Sequence, residues 1–172
     1  MNGKGTEKAT ENAAVGTPEA VAALQRLGTT WHQEIPLTRA MALEPISWKD
    51  GTLTVAAELE PNVNVHGTAF AGSLYSVAAL SGWGLVHLEL EAAGVDGSIV
   101  IADGRIRYQR PVTERIVARC TLPAGDRDAG LRALAGPAGK ARFTLTSVIE
   151  CDGRPAAEFE GVYAVLRRRA QG

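Results

Sequence analysis

The stretch NVNVHGTAFAGSLYSVAALSGWG, residues 62–84, decides the fold of this chain. Its first residues are polar, but no Asp, Glu, Lys or Arg occurs between Gly67 and Leu88. Small and large apolar residues follow one another here, which predicts a helix over about residues 69–91. A helix that is apolar on nearly every face is typically buried on all sides. We therefore predict a central helix that the rest of the chain encloses.

Strand-like patterns stand on both sides of this helix in the sequence. Before it, two runs meet at Lys49-Asp50-Gly51, which is a hairpin signal. After it come about four strands, with a short helix between the second and the third of them. The turn Asp152-Gly153-Arg154 indicates that the last two strands form a second hairpin. This order of elements predicts the α+β class. An antiparallel sheet curled around the helix would supply its burial.

The ends of the chain differ from its middle. We predict one domain over residues 17–168, whose first helix begins with the cap signal Thr17-Pro18-Glu19. Residues 1–16 have the composition of a disordered leader without the apolar core of a secretory signal, and residues 169–172 form a tail. No run approaches the roughly 20 apolar residues that span a bilayer. We expect a cytoplasmic protein.

Charge and cysteine content exclude several classes of function. The 18 basic and 19 acidic residues give a net charge of −1, which provides no attraction to nucleic acid or to an anionic membrane. Cys120 and Cys151 both lie in alternating strand patterns, which is typical of buried free thiols rather than a disulfide. The sequence has no CxxC, no HExxH and no zinc-type spacing of His and Cys. We predict neither a metal nor a cofactor.

The candidate chemistry lies at the start of the central helix. The first N–H groups of a helix have no partner within it and lie at the positive end of its dipole. Gly67 permits close approach, and Thr68 either caps the helix or donates its hydroxyl. Such N–H groups suit the oxyanion that develops during acyl transfer. Asn62, Asn64 and His66 precede this turn and can orient a water or a thioester carbonyl, with His66 as a candidate general base.

Several of these residues also have a structural interpretation. Asn62 and Asn64 suit the turn that follows Pro61. Ser73, one to two turns into the helix, can donate its hydroxyl to a carbonyl one turn earlier. Tyr75 is typical of a core residue with a satisfied hydroxyl.

Two arginines on a later strand leave a similar choice. Strand alternation places Arg105 and Arg107 on one face. That face is either exposed to solvent or available to the phosphate groups of a ligand.

The motif Asn-x-Asn-x-x-Gly-Thr-x-Phe-x-Gly-Ser at residues 62–73, the following GWG and the strand IRYQRPV resemble the thioesterase domain family typified by the C-terminal domain of bacterial YiiD. The resemblance covers about residues 21–167, including the closing hairpin. It implies a hotdog fold, in which an antiparallel sheet wraps a long central helix and two subunits pair their sheets edge to edge. It also implies an active site at the dimer interface, near the start of that helix.

Candidate site residues follow from the motif and the resemblance together. The candidate catalytic residues are Asn64, His66, Gly67, Thr68 and Ser73. The candidate substrate-binding residues are Asn62, Phe70, Gly72, Tyr75 and Arg107. Many hotdog thioesterases carry an Asp or Glu on the central helix, but the corresponding stretch here, SLYSVAAL, has none. A carboxylate mechanism on that part of the helix is therefore excluded.

The resemblance implies an enzyme that hydrolyses an acyl thioester of coenzyme A or of an acyl carrier protein, as a homodimer or a tetramer. The missing carboxylate leaves a second possibility open, a non-catalytic domain that binds an acyl thioester. A hotdog dehydratase or hydratase is a third, although that chemistry requires a histidine with an acidic partner. The sequence does not specify the acyl chain length or the pathway.

Overall fold

The computed structural model describes residues 17–168, which form six strands, four α-helices and a short 3-10 turn. The helices are α1 (Pro18–Glu34), α2 (Pro36–Ala40), α3 (Ala71–Ala92) and α4 (Ala124–Ala135), and the 3-10 turn is Glu60–Asn62. The strands are β1 (Leu43–Lys49), β2 (Thr52–Ala57), β3 (Gly97–Tyr108), β4 (Ile116–Thr121), β5 (Lys140–Cys151) and β6 (Arg154–Arg167). The predicted leader, residues 1–16, and the predicted tail, residues 169–172, lie outside the described residues.

The strands form one antiparallel sheet in the order β1-β2-β4-β5-β6-β3. Both predicted hairpins are present, and their turns use positive φ angles at Asp50 and Gly51 and at Asp152 and Gly153. Asp tolerates this left-handed conformation better than most residues, and Gly adopts it freely. The α+β class predicted from the order of elements is confirmed.

The long helix α3 packs against the inner face of this sheet, and two of its glycines make close packing possible. A Cβ atom at Gly82 would overlap the Tyr163 side chain of β6. A Cβ atom at Gly84 would lie 2.6 Å from Cζ2 of the buried Trp31 in α1. The small residues of the central helix therefore admit large aromatic side chains from its neighbours.

Buried hydrogen bonds also join α3 to the sheet. The Ser81 hydroxyl donates to Ser147 of β5 at 2.8 Å, and the Tyr163 hydroxyl donates to the carbonyl oxygen of Ala79 at 2.8 Å. Because buried polar groups are costly without partners, these bonds favour one seating of the helix on the sheet.

The helix is less enclosed than its sequence predicts. One stripe of α3 is only half-buried, and it consists of Ser73, Ser76, Leu80, Trp83 and His87. The sheet and α1 leave this stripe uncovered, so the prediction of burial on all sides is wrong for the single chain. Of the helices in residues 17–168, none is long and apolar enough to cross a membrane.

Two further helices complete the core. Leu27 and Trp31 of α1 are fully buried on the inner side of the sheet, next to β1. The α4 helix covers the first half of β5, which extends beyond its pairing with β4. There Leu134 is fully buried and Gly130 lies against the ring of Phe143.

Candidate active site at the start of α3

Three backbone N–H groups are unpaired at the start of α3. The helix begins at Ala71, two residues later than predicted, and Phe70 is its N-cap with an extended backbone and no capping side chain. The first intrahelical bond runs from the Leu74 N–H to the Phe70 carbonyl at 3.1 Å. Within residues 17–168, the N–H groups of Ala71, Gly72 and Ser73 have no hydrogen-bond acceptor. They lie at the positive end of the helix dipole.

The loop before the helix is shaped by Asn64. Its Oδ1 accepts from the backbone N–H of His66 at 2.8 Å and of Thr68 at 3.3 Å. Its Nδ2 donates to Thr68 Oγ1 at 2.9 Å and to the Ala69 carbonyl at 3.2 Å. The side-chain amide of Asn64 is thus fully engaged in the loop. This supports the structural interpretation of Asn64 rather than direct orientation of a water.

Gly67 and Thr68 lie in the loop before the helix rather than in its first turn, and their N–H groups are not free. The Gly67 N–H donates to the Asn64 carbonyl at 3.1 Å, and the Thr68 N–H donates to the Asn64 side chain. Gly67 has φ of +74°, a left-handed conformation that favours glycine. Both residues belong to the loop, and Thr68 does not cap the helix.

Asn62 is buried and its side-chain amide nitrogen is bonded within the fold, while its contact with substrate stays a prediction. Only 2% of it is exposed, and its Nδ2 donates to the carbonyls of Met41 at 2.8 Å and Glu58 at 2.6 Å. Its own carbonyl accepts from the Phe70 N–H at 2.7 Å. Asn62 therefore fixes the residue that caps α3 to the segment before β1.

The first turn of α3 is covered by an aromatic ring. A Cβ atom at Gly72 would overlap the ring of Phe70, which is 54% exposed. The Ser73 hydroxyl makes no hydrogen bond within residues 17–168, whereas the Ser76 hydroxyl donates back to the Gly72 carbonyl at 2.9 Å. The structural role considered for Ser73 is thus taken by Ser76. The structure brings Phe70, Gly72 and Ser73 together and leaves His66 exposed on the adjoining loop.

A residue that the sequence did not single out joins this site to the sheet. Tyr108, at the end of β3, donates its hydroxyl to the Ala71 carbonyl at 2.9 Å. Burial, and to a smaller extent the nearby Tyr75, raise the pKa of Tyr108, so it remains a donor at neutral pH. Tyr75 packs edge-on against Phe159 at 5.0 Å, with its hydroxyl against Gly104 of β3. The sequence did contain a signal for Tyr108, because strand alternation places it on the face opposite to Arg107.

Arg107 is not part of the α3 start within one chain. The predicted shared face of Arg105 and Arg107 is confirmed, since they pair across the sheet with Glu160 and Glu158. This is the outer face, opposite α3, and Arg107 lies 3.8 Å from the Glu158 carboxylate. The role of Arg107 in substrate binding stays a prediction.

Both cysteines are buried free thiols, as predicted. Burial raises the pKa of Cys120 to about 11, so this thiol is not a nucleophile at neutral pH. Cys151 lies in a cluster with Glu114 and Asp152, whose ligand-type atoms are within 4.8 Å of one another. The Glu114 carboxylate already accepts from the Asp152 N–H at 2.8 Å. Glu114 therefore stabilises the turn between β5 and β6.

A long central helix on the inner face of a six-stranded antiparallel sheet defines a hotdog protein. The family described as "Putative thioesterase (yiiD_Cterm)" matches residues 24–167, and the chain belongs to this family.

Solved structures agree with this assignment. A protein described as the "putative thioesterase from Shewanella oneidensis" is 39% identical, with 85% of this chain and 99% of that chain covered and a TM-score of 0.75. A protein of unknown function from Chlorobaculum tepidum TLS is 31% identical, with 86% and 99% covered and a TM-score of 0.81. A Pseudomonas aeruginosa protein described as a "Probable Thioesterase" shares 22% identity, covers 84% and 95%, and has a TM-score of 0.72. At that identity it shows the fold alone.

Proposed function

We propose that the chain hydrolyses an acyl thioester, delivered by coenzyme A or by an acyl carrier protein, at the start of α3. The observation that carries this proposal is the set of unpaired N–H groups of Ala71, Gly72 and Ser73. Two or three such donors form the kind of site that holds a thioester carbonyl oxygen as it becomes an anion. Membership of a thioesterase family and the description of the Shewanella oneidensis relative support the same activity.

The proposed reaction uses water as the nucleophile. Water attacks the thioester carbonyl carbon, and the carbonyl oxygen gains negative charge near the α3 amides. Collapse of this intermediate breaks the carbon–sulfur bond and releases the acid and the thiol. The loss of one preorganised donor in such a site typically costs about 10²–10³ in kcat. In this proposal the Ser73 hydroxyl orients the water, and His66 removes its proton as general base.

We also propose that two copies pair through the β3 edge. Ile101 and Tyr108 of this strand are 43% and 49% exposed. Edge strands that long are ready templates for pairing with another chain. A second copy there would also cover the half-buried stripe of α3 and would stand beside the helix start. A tetramer of such dimers is a further possibility, and the free thiols suit the reducing cytoplasm.

A non-catalytic acyl-binding domain is the second candidate function. Glu89 is the first carboxylate on α3, and it lies more than four turns from the helix start. Its side chain bonds to Trp48 Nε1 at 3.2 Å and faces Arg127. The helix start therefore offers oxygen-binding amides without a carboxylate to activate water, which suits retention of the thioester as well as its cleavage.

Release of free thiol from short, medium and long acyl-CoAs separates these functions. We expect hydrolysis of at least one chain length, with kcat lowered about a hundredfold in His66→Ala because a general base is lost. His32→Ala is a matched control, since His32 lies outside the site and binds the Leu43 carbonyl. Binding of a long acyl-CoA without release of thiol would establish the non-catalytic alternative. Hydration of crotonyl-CoA would instead indicate a hydratase.

A further inference from the structure

A groove lies on the outer face of the sheet, opposite α3. It encloses about 610 Å³ and spans β5, β6 and β3 beside the end of α4. The strand register places its outward side chains in two rows of three. The first row is Lys140, Leu166 and Ser98, and the second row is Arg142, Ala164 and Val100.

The groove is amphipathic across the strands. Both cations come from β5, whereas β6 and β3 supply an apolar floor in which Leu166 is 52% and Val100 is 56% exposed. Exposed large apolar side chains that adjoin one another mark interaction surfaces more often than isolated ones do. Two charges beside an apolar floor indicate a ligand that is both anionic and apolar.

The two cations of this groove lack the carboxylate partners that two other arginines of the outer face have. Within residues 17–168, no carboxylate lies within ion-pair distance of Lys140 or Arg142. Further along the same face, Arg107 pairs with Glu158 and Arg119 pairs with Glu150. Lys140 and Arg142 therefore lie two residues apart on β5 without a carboxylate partner among the described residues, whereas Arg107 and Arg119 each have one.

We propose that this groove docks an acidic amphipathic helix of the carrier protein that delivers the acyl group. This inference rests on the proposed function and selects the carrier protein over coenzyme A as the physiological donor. An amphipathic helix would lay its apolar face on Leu166, Ala164 and Val100 and its acidic flank on Lys140 and Arg142. Complementary charge at the rim speeds association and fixes register.

The shape of the groove favours a helix over a nucleotide. The floor is a single sheet face, and Leu166 and Val100 present their side chains outward rather than as two walls of a slot. Small-molecule sites typically bury most of the ligand surface, which an open floor does not do. A helix that lies across both rows needs to bury only one of its faces, and the open apolar floor is sufficient for that.

The proposed dimer would place the groove of each copy close to the candidate site of the other. Antiparallel pairing of two β3 strands would bring the Ser98 end of one strand beside the Tyr108 end of the other. The groove of one copy would then stand next to the α3 start of its partner. A carrier protein holds its acyl group on a long flexible arm, so its docking surface need not touch the site itself.

Charge reversal at the groove tests the proposal. The variants are Lys140→Glu and Arg142→Glu. The matched control is Arg154→Glu, an exposed arginine at the opposite end of the β5–β6 hairpin that has no ion pair with any residue from 17 to 168. The substrates are octanoyl-carrier protein and octanoyl-CoA. We expect each groove variant to lower kcat/KM about tenfold for the carrier protein, through KM, with kcat unchanged. Hydrolysis of octanoyl-CoA and both activities of Arg154→Glu remain as in the wild type.

Several outcomes would overturn the docking proposal. They are unchanged activity on the carrier protein, an equal loss on octanoyl-CoA, and an equal loss in Arg154→Glu. Calorimetric titration with the unacylated holo-carrier protein tests docking without any hydrolysis. We expect wild-type binding that weakens about tenfold in the two groove variants. Absence of binding by the wild type refutes the groove proposal alone, whereas binding without thiol release refutes only the proposed hydrolysis.

Discussion

The two edges of the sheet are protected very differently. The β1 edge has seven residues, a proline at position 45 and a register shift between Pro45 and Ser47. The α1 helix packs along it, and His32 Nε2 lies 2.8 Å from the Leu43 carbonyl. The β3 edge has 12 residues, and its exposed side chains include Val100 and Ile101.

The β1 edge is thus protected against pairing with another strand, whereas the β3 edge is open to pairing. Proline, an irregular register and a covering helix are the usual means by which proteins prevent edge pairing. The chain uses all of them at β1, whereas β3 has only an irregular register, between Ile101 and Asp103. At β3 the start of α3 is attached directly to the strand, because Tyr108 bonds to the Ala71 carbonyl. The open β3 edge is therefore also the edge next to the candidate site at the start of α3.

The largest expected effect comes from placing a charge on each edge in turn. Ile101 of β3 is 43% exposed and Ile46 of β1 is 44% exposed, so they form a matched pair. We expect Ile101→Asp to halve the mass measured by light scattering, since an unpaired charge at the proposed dimer interface would oppose association. We expect it to lower thioester hydrolysis by about a hundredfold or more, because the proposed site would lose the neighbouring subunit of the proposed dimer.

Ile46→Asp is the control at the covered edge. It should leave both the mass and the activity of the wild type intact. An Ile46→Asp variant that also halves the mass, or an Ile101→Asp variant that does not, would show that the contrast between the edges does not determine assembly.

A second prediction concerns one amide behind the open edge. Proline is well tolerated at the first position of a helix, where it removes only an N–H. Ala71→Pro should therefore keep the fold and lower kcat by about 10²–10³, as for the loss of one oxyanion donor. Ala71→Gly retains the N–H and should keep most of the activity. Equal losses in the two variants, measured as thiol release, would indicate that the Ala71 amide is not a donor.

A smaller effect is expected when one hydrogen bond is removed at each edge. Tyr108→Phe loses the bond to the Ala71 carbonyl, worth about 0.5–1.5 kcal/mol, and should lower kcat about three- to tenfold. His32→Leu loses the bond to the Leu43 carbonyl and should lower the melting temperature with kcat unchanged. Comparing kcat with melting temperature for both variants checks this division. A Tyr108→Phe variant that loses only stability would show that Tyr108 does not position the helix start.

The smallest effect concerns His87 on the half-buried stripe, where its ring stacks on Trp83 at 5.1 Å. Burial lowers the pKa of His87 below 6.5, although Glu91 and Glu34 oppose this. The unfolded chain therefore binds the proton more readily, and stability falls as pH decreases through the folded-state pKa. The melting temperature of His87→Gln should change less than that of the wild type between about pH 7.5 and pH 5.5. Identical pH profiles would contradict this.

The elements of this fold are readable from the sequence because their signals are local. The central helix, both hairpins and the first helix cap depend on residues close together in the chain. The Thr17 side chain accepts from the Ala20 N–H, and the Asp50-Gly51 and Asp152-Gly153 turns adopt the positive φ angles that these residues allow.

The exact helix start was not readable, because distant contacts set it. The Ala69 N–H donates to the Val112 carbonyl, and the Phe70 N–H donates to the Asn62 carbonyl. These bonds take residues 69 and 70 out of the helix, and the Asn64 side chain takes the Thr68 amide. The role of Tyr108 depends in the same way on the seating of α3 against β3, which no local pattern specifies.

The central claim is that amides at the start of α3, rather than those of the preceding loop, hold the thioester oxygen. Amide chemical shifts of ¹⁵N-labelled protein, titrated with a non-hydrolysable ketone analogue of octanoyl-CoA, test it directly. The Ala71, Gly72 and Ser73 N–H signals should move downfield, while those of Gly67 and Thr68 stay in place because Asn64 already accepts from them. Shifts confined to Gly67 and Thr68, or saturation without any shift at residues 71–73, would contradict the claim.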